Sequence, residues 1–387
     1  MPVQPRSDDR IPLHVLTSID PVLRDSAVFG IVVDTPRTVA LRHDILAESG
    51  ELRRVVVDAT GVVEDLLVPL EHACLSCAVR EDALPTLREL ARDGRWDRVV
   101  LALPVSAESL PVSRALSAAS EPGSELDALR VATVLTVLDV ESAETDLLDD
   151  ELVSERGIAL TEDDGRAIGE VLAAQLEHTD LVVTSGDLRA APTGSGLVDR
   201  LRAAGSERVD GLHHLTVALL DAGRYDAVDG ERRAHPLGAR GPLHAPVMPG
   251  DASWTLELTS SRPFHPERLL EQVERLGTGR LRSRGVFWVP NRPDSLCAWD
   301  GAGGQLSIGE LGPWQGLTAR TRLVFVGAGG EDGPDGPDPD GSALRAELRA
   351  AFDEILATGE EMADGGLRWL GREDVLAPWL GARSEAA

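Results

Sequence analysis

Two of the three cysteines in this chain of 387 residues stand three positions apart, in the stretch EHACLSCAVREDALPTLREL over residues 71–90. Cys74 and Cys77 have the C-x2-C spacing of a zinc knuckle, and His72 could supply a third ligand. Zinc prefers thiolate and imidazole ligands in a tetrahedral set. The sequence has no second cysteine pair to close a structural site. The pattern therefore predicts an open zinc site of His72, Cys74 and Cys77, completed by a partner protein or by a carboxylate such as Glu71.

Two other interpretations of this pair remain open. A C-x-x-C pair ahead of a helix also describes thioredoxin-like redox sites, although the surrounding pattern offers no such context. The pair could also be two semi-buried cysteines without a function. We expect the helix to begin near Asp82, which makes Pro85 tolerable. The dipole of that helix is expected to lower the pKa of the Cys77 thiol.

The composition narrows the class of protein. The formal net charge of −27 and the pI near 4.7 argue against nonspecific binding to nucleic acid or to an anionic membrane. All 38 basic residues are arginine, which excludes any mechanism that needs a phosphate-binding, Schiff-base or general-base lysine. No apolar run of transmembrane length and no secretory signal is present, and three cysteines are too few for a disulfide framework. We therefore expect a cytoplasmic protein.

Residues 1–240 alternate apolar runs with helical patterns, which is typical of a mainly parallel α/β sheet with helices on both faces. DGRAIGEVLAAQLEH (164–178) has the apolar spacing of a helix. The predicted strands are LHVLTSI (13–19), TVALRHD (38–44), RRVVVDA (53–59), DRVVLALPV (97–105), ATVLTVLDV (132–140) and DLVVTSG (180–186).

A second, smaller α+β domain is predicted over residues 254–387. A Pro/Gly-rich region at 228–252 precedes it, with the linker proper at 241–253, and six of the seven tryptophans follow. EDGPDGPDPDG (331–341) is expected to be an acidic, mobile loop, and the helix of SALRAELRAAFDEILATGEEM follows it. The other predicted elements are strands at 254–260, 285–291, 297–301 and 322–327 and a helix at 265–276.

This C-terminal region resembles the C-terminal domain of CobW-type proteins. The resemblance rests on RPFHPERLLEQVERLGTGRLRSRGVFWVPNRPD, WDGAGGQLSIGELGPW and RLVFVG. That family joins a P-loop GTPase domain to this domain and is linked to the delivery of metals, chiefly zinc or cobalt, so the resemblance implies a P-loop-NTPase-like sheet. Cys74, Cys77, Arg80 and Asp82 match the family's cysteine motif, with Ser76 in place of its middle cysteine.

The nucleotide motifs of the family are degraded. A P-loop needs G-x-x-x-x-G-K-[ST], because backbone amides hold the phosphates and the lysine reaches the β/γ oxygens. After the first strand this chain reads LTSIDPVLRDSAVFG instead, and Asp187 alone matches the guanine-reading motif. The strand at 97–105 ends without an acidic residue for magnesium. We therefore expect no GTP binding; a P-loop built on arginine is the alternative.

One actinobacterial branch of CobW-type proteins also lacks a usable P-loop and carries His-x-Cys-x-x-Cys, as here in His72, Cys74 and Cys77. That branch is associated with zinc starvation and recruits a hibernation factor to the ribosome. The resemblance implies a zinc-responsive, non-catalytic adaptor whose partners are ribosomal proteins or a ribosome hibernation factor, without direct contact to nucleic acid. The alternative is a GTP-dependent zinc metallochaperone, and a folded relic without metal or partner is a third possibility.

Other residues have structural interpretations. His265, next to Pro266, is expected to cap the helix that follows. His213 and His214 are placed at the start of a strand, and the tryptophans of the second domain are placed in its core.

Overall fold

A computed structural model describes residues 9–239, 248–277, 279–333, 336–369 and 371–381. Its larger sheet has eight strands in the order β4-β3-β2-β5-β1-β6-β7-β8. The six strands from β2 to β8 in this order run parallel, and β3 and β4 form an antiparallel hairpin at one edge. The strands are β1 (Ile11–Thr17), β2 (Thr38–Leu46), β3 (Glu51–Asp58), β4 (Gly61–Pro69), β5 (Arg98–Ala102), β6 (Leu129–Asp139), β7 (Leu181–Ser185) and β8 (Glu207–Asp210).

Helices cover both faces of this sheet. Leu13 and Leu16 of β1 point to opposite faces and belong to different buried clusters, one with Leu87 and one with Val28. Continuous apolar strands are buried on both sides for this reason, which confirms the predicted fold class. The helices are α1 (Pro21–Asp34), α2 (Leu75–Cys77), α3 (Leu84–Asp93), α4 (Ser109–Ala119), α5 (Ala143–Leu148), α6 (Ile168–His178), α7 (Pro192–Leu201), α8 (Val217–Leu220) and α9 (Ala227–Ala234).

The second sheet is antiparallel, with five strands in the order β12-β11-β10-β13-β9. Trp299, Phe287 and Phe325 share its buried cluster with Phe352 of the long C-terminal helix, so these aromatic residues build a core. The prediction that the tryptophans lie in the core was wrong for Trp379, which is 50% exposed. The strands are β9 (Ser253–Ser260), β10 (Leu281–Val289), β11 (Arg292–Ala302), β12 (Gln305–Pro313), β13 (Thr321–Ala328) and the short pair β14 (Gly330–Gly333) and β15 (Gly336–Asp338). The helices are α10 (Pro266–Gln272), α11 (Glu274–Gly277), α12 (Ser342–Ile355) and α13 (Ala377–Leu380).

The large sheet with its helices forms one layer and the second sheet forms another, and an ion-pair cluster joins the two layers. Glu177 of α6 accepts hydrogen bonds from Arg282 Nε and Nη2 at 2.8 and 2.9 Å and from Arg284 Nη1 at 2.7 Å. Both arginines lie on β10 and are buried. Arg284 also donates to the carbonyl of Arg233 on α9. One carboxylate of the first layer therefore binds two buried arginines of the second.

Several predicted elements differ from the structure. The predictions omitted β4, β8 and β12, and part of the predicted 228–252 region forms α9 instead. The segment at 331–341 contains the β14–β15 pair where a loop was expected, and the C-terminal helix ends at Ile355. His213 and His214 lie in a 3-10 turn, Leu212–His214, and not in a strand. Most of the predicted linker lies outside the described residues, while β9 starts at its last position.

None of the described helices combines the length and the apolar character that crossing a bilayer requires.

Candidate metal site at the cysteine loop

The predicted zinc ligands lie on one short connection between β4 and α2, the cysteine loop (Glu71–Cys77). Cys74 has extended backbone angles and is the N-cap of α2, and its sulfur accepts a hydrogen bond from the Cys77 amide at 3.4 Å. The Cys74 amide in turn donates to the His72 carbonyl at 2.8 Å. The loop thus turns tightly enough to bring both cysteines and the histidine to the start of the helix.

The side chains of His72 and Cys77 approach each other. Cys77 Sγ lies 3.9 Å from His72 Nδ1 and 3.7 Å from Nη2 of Arg80. Cys77 is 5% exposed, Cys74 is half-buried and His72 is exposed. Two soft sulfur donors and an imidazole are therefore neighbours at the start of α2.

The three groups are not arranged around a common point. Across the ranges that the structure describes, no group of three or more His, Cys, Asp and Glu side chains is positioned to hold a metal ion. Zinc binding would need the exposed imidazole of His72 to rotate, and a fourth donor would have to be added, because zinc takes four ligands in a tetrahedron.

The electrostatics of Cys77 differ from the expectation. The neighbouring thiol of Cys74 raises the pKa of Cys77, and burial and the carboxylate of Glu81 raise it further. The expected lowering of the pKa by the helix dipole is therefore outweighed. The helix also starts at Leu75 and not near Asp82, so Cys77 lies inside its first turn. A zinc ion bound at Cys77 would displace the thiol proton, because metal ligation requires the thiolate.

The helix that carries the cysteines has an unusual turn. Between α2 and α3 the backbone forms a π-helical turn, Ala78–Ala83, directly ahead of Pro85. Proline has no amide hydrogen and its ring crowds the preceding turn, which a wider π turn accommodates. The proline therefore lies within a continuous helical path and not at its start.

A buried polar network anchors this turn to the sheet. Asp82 Oδ1 lies 2.7 Å from Nε2 of His43 on β2, and Asp82 Oδ2 accepts from Nη1 of Arg54 on β3 at 2.7 Å. His43 and Asp82 are both 2% exposed. Arg54 also donates to Thr86 Oγ1 at 3.0 Å. Asp82, which the resemblance singled out, holds the cysteine helix against the β2–β3 hairpin.

The start of α1 is the place where a nucleotide phosphate would be bound in a P-loop protein. Only Ser18, Ile19 and Asp20 connect β1 to α1. Asp20 Oδ1 accepts hydrogen bonds from the amides of Val22 and Leu23 at 2.7 and 3.0 Å. A helix N-terminus attracts phosphate through its free amides. Here two of these amides are already bonded to a carboxylate of the same chain.

Arg24, the first arginine of α1, is buried in a different role. Its Nη1 lies 2.7 Å from Asp44 Oδ1 and 3.1 Å from the carbonyl of Leu103, and its Nη2 contacts Asp25. It is 2% exposed. These contacts hold the guanidinium of Arg24 against the sheet, so they do not favour a P-loop built on arginine.

The residues after β7 form turns. The carboxylate of Asp187 accepts from the amide of Arg189 at 2.9 Å, and its own amide donates to Glu141 Oε1 at 2.8 Å. Asp139 accepts from the amide of Glu141 at 2.9 Å. Several carboxylates thus line the carboxyl edge of the sheet, where open α/β sheets bind ligands.

His265 has the structural role expected of it, and Cys297 is a core residue. His265 is the N-cap of α10, with Nδ1 3.5 Å from the amide of Arg268. Cys297 lies in the core of the second sheet, far along the chain from the cysteine loop, and burial raises its pKa to about 12. The Asp82 network could not be predicted from the sequence, because its partners are distant in the chain.

Comparison with known families gives two matches. Residues 39–189 match the CobW/HypB/UreG nucleotide-binding domain, and residues 253–356 match the C-terminal domain of the cobalamin synthesis protein cobW. The first match starts at β2, beyond β1 and α1, and includes the cysteine loop.

Two curated relatives are similar over most of the chain. The zinc chaperone Rv0106 of Mycobacterium tuberculosis is 32% identical over 269 residues, which are 66% of this chain and 62% of that protein. The zinc-regulated GTPase metalloprotein activator 1 of Dictyostelium discoideum is 23% identical over 296 residues, 73% of this chain and 62% of that protein. The matched segments span less than two thirds of either relative.

Among solved structures, the Zn(II)-bound YjiA GTPase from E. coli is similar over 89% of this chain and 99% of that chain, with 13% identity and a TM-score of 0.35.

Proposed function

This chain is built from the two domains of the CobW family, and on that premise we propose that it binds zinc as cargo at the cysteine loop and passes it to a client protein. Relatives named as a zinc chaperone and as a zinc-regulated GTPase metalloprotein activator support a role in zinc handling. Both are matched over only 62% of their length, so the activity proposed here is argued from this chain's own residues.

The observation that carries the proposal is the approach of Cys77 Sγ to His72 Nδ1 at 3.9 Å, beside Cys74 at the helix N-cap. This chain supplies at most three strong zinc donors there, and the imidazole is exposed. An incomplete ligand set suits transfer, because a client can donate the fourth ligand and then replace the others one at a time. Because the pKa of Cys77 is raised, its side chain is a thiol when no zinc is bound, and it becomes a thiol again when zinc is released.

We further propose that this transfer does not depend on GTP. The absence of lysine from the sequence removes the residue that reaches the β/γ phosphates in a P-loop. The carboxylate of Asp20 bonds to the amides that would face a phosphate, and its charge repels one. Zinc exchange between thiolates and imidazoles needs no nucleotide, since it is driven by the relative affinities of donor and acceptor.

The test is competition for zinc against a chromophoric chelator, with wild type, Cys77→Ser and His72→Gln. We expect Cys77→Ser to weaken zinc binding at least tenfold and His72→Gln to weaken it less. Cys297→Ala is the matched thiol control and should bind zinc like wild type, because Cys297 is buried in the other sheet. Equal zinc affinity in wild type and Cys77→Ser would refute the cysteine loop as the zinc site.

The same protein preparation tests whether the chain binds GTP. Calorimetry with GTP and Mg²⁺ should give no heat of binding at millimolar GTP, with zinc present or absent. Micromolar affinity would instead support the GTP-dependent metallochaperone and would refute the nucleotide-independent mechanism.

A second candidate is a zinc-responsive, non-catalytic adaptor that recruits a hibernation factor to the ribosome under zinc limitation. The blocked start of α1 favours it, because a CobW scaffold without nucleotide chemistry keeps its surfaces for binding. Its partners would be ribosomal proteins or a hibernation factor, contacted without direct binding to nucleic acid.

Co-sedimentation with ribosomes tests this candidate. Extracts of zinc-replete and zinc-starved cells would be compared, with wild type and Cys74→Ser/Cys77→Ser. Zinc-dependent enrichment of the chain and of a hibernation factor in the ribosome fraction is expected for an adaptor. A chain that stays in the supernatant in both extracts would leave zinc transfer as the function.

A further inference from the structure

The outer strand β4 exposes an unusual amount of apolar surface. It is the last strand at one edge of the large sheet, so one row of its backbone groups has no neighbouring strand. Val62, Val63, Leu66 and Leu67 are 66%, 47%, 45% and 57% exposed. Proteins normally protect an edge strand with charges, prolines, bulges or a covering element. Nothing in the described ranges covers this one.

A groove adjoins the same edge. It has a volume of about 470 Å³ and lies between α1 and the β3–β4 hairpin. Its walls include Phe29 and Val33 of α1, which are 67% and 48% exposed, and Val57 and Val62 of the hairpin. A space of this size accepts one or two large apolar side chains. The apolar surface thus continues from the edge strand on to the neighbouring helix.

The charges of the hairpin restrict what can bind. Residues 51–69 contain four carboxylates and two arginines, and both arginines are paired, Arg53 with Asp65 and Arg54 with Glu64. The remaining carboxylates, Glu51 and Asp58, lie opposite Pro69 and Gly61, at the two ends of β4. The edge is therefore charge-compensated at its middle, where Glu64 and Asp65 lie, apolar on either side of them, and negative at both ends. A second copy of this chain, with its net charge of −27, is repelled by such a surface.

The position of β4 connects this surface to the cysteine loop. The strand ends at Pro69, and His72 and Cys74 follow within five residues. A segment that pairs with β4 would therefore end beside the zinc donors. Pairing of an extended segment with a free sheet edge is a general mode of peptide recognition, in which backbone bonds give affinity and side chains give specificity.

We propose that β4 is the docking strand for the zinc client, which adds an extended segment with an apolar centre and arginine or lysine residues at its ends. The proposal rests on the proposed function for the identity of the partner as a zinc recipient. The basic ends pair with Glu51 and Asp58, the backbone completes the sheet, and one apolar side chain enters the groove beside Phe29.

The probe is a synthetic fluorescent peptide in which two arginines flank each end of five alternating valines and threonines. Its affinity for the full chain would be measured by anisotropy. We expect Leu67→Asp and Val63→Asp each to weaken binding at least tenfold. Leu317→Asp is the matched control, because Leu317 is a similarly exposed aliphatic residue, at 56%, outside the hairpin. It should bind the peptide within twofold of wild type.

Two further peptides test the mode of binding. A central proline removes a backbone donor and should abolish binding, and glutamates in place of the arginines should weaken it at least tenfold. Hydrogen exchange should slow at the β4 amides when the arginine peptide is added. Equal binding of the proline peptide, or unchanged exchange in β4, would overturn the proposal.

Three controls separate this proposal from the proposed function. Cys74→Ser/Cys77→Ser should bind the peptide like wild type, and Leu67→Asp should keep its zinc affinity. Peptide binding in a chain that does not bind zinc would overturn the proposed function while leaving β4 as a docking strand. Sedimentation showing a dimer that Leu67→Asp dissociates would assign the edge to a second copy and overturn the client proposal.

Discussion

At the scale of single residues, Cys74 has two separable roles. Its sulfur caps α2 by accepting from the Cys77 amide, and it is also a proposed zinc ligand. Serine is a strong N-cap residue but a poor zinc ligand, whereas alanine is neither. The same position can therefore be tested for both roles with two substitutions.

We predict that Cys74→Ser lowers zinc affinity at least tenfold while the free energy of unfolding stays at or above that of wild type. Cys74→Ala should lower zinc affinity by the same factor. It should also lower the free energy of unfolding by about 1 kcal/mol, the usual cost of a lost cap. Chelator competition and urea denaturation of the zinc-free protein measure the two effects. Unchanged zinc affinity in both variants would show that Cys74 only caps the helix.

His178 gives the protein a pH dependence that is independent of zinc. Its Nδ1 lies 2.7 Å from Ser109 Oγ, its Nε2 has no hydrogen-bond partner within the described part of the chain, and the residue is 1% exposed. Burial, and secondly the charge of Arg233, lower the pKa of His178 from 6.5 to about 4. In the unfolded chain the imidazole takes up a proton near pH 6.5, while in the folded chain it does so only near pH 4.

We predict that folding stability is lost as the pH falls through this window, by up to about 3 kcal/mol from this group at about 1.4 kcal/mol per pKa unit. His178→Gln should remove that part of the slope between pH 6.5 and 4 in urea denaturation. Parallel pH profiles for wild type and His178→Gln would contradict the assignment.

At the scale of elements, the hydrogen bonds of Asp82 attach the cysteine helix to β2 and β3. The carboxylate of Asp82 is bonded to His43 and Arg54 in a buried setting. Removing one member of such a network leaves the others without partners, and the measured costs are in the range of several kcal/mol.

We predict that Asp82→Ala destabilises the protein by about 3 kcal/mol in urea denaturation. Zinc affinity should fall as well, because the turn that carries Cys77 loses its attachment to β2 and β3. Asp97→Asn is the matched control, since Asp97 and its partner Arg37 are each 54% exposed, and it should cost less than about 1 kcal/mol. A similar loss in both variants would contradict the role of the buried network.

The sequence predicted these elements unevenly, for physical reasons. Continuous Val/Leu runs such as RVVLA mark strands that are buried on both faces, so the parallel sheet was predictable. The edge strand β4, GVVEDLLVP, was missed because it exposes apolar residues on both faces and shows no alternation. His72, Cys74 and Cys77 were found because they are neighbours in the chain. Asp82 and His43 lie 39 positions apart and meet only through the β2–β3 hairpin.

At the scale of the whole molecule, ion pairs and apolar packing together join the two layers, and Val326 of β13 lies in a buried cluster with Leu138 of β6. Glu177 of α6 binds both Arg282 and Arg284 of β10, and Arg282 also contacts Asp300. The two arginines are 4% and 6% exposed, so their charges depend on this carboxylate for compensation. Glu177 therefore compensates two buried positive charges across the junction.

We predict that Glu177→Gln lowers the free energy of unfolding by about 3 kcal/mol, since it leaves two buried guanidinium groups with one negative partner fewer. The matched control is Glu144→Gln, at a half-exposed pair with Arg280 across the same junction, which should cost less than about 1 kcal/mol. Urea denaturation followed by tryptophan fluorescence reports chiefly on the second sheet, where most tryptophans lie, and circular dichroism reports on both. Coincident transitions in wild type that separate in Glu177→Gln would show that Glu177 couples the unfolding of the two layers. An unchanged midpoint would contradict this role of Glu177.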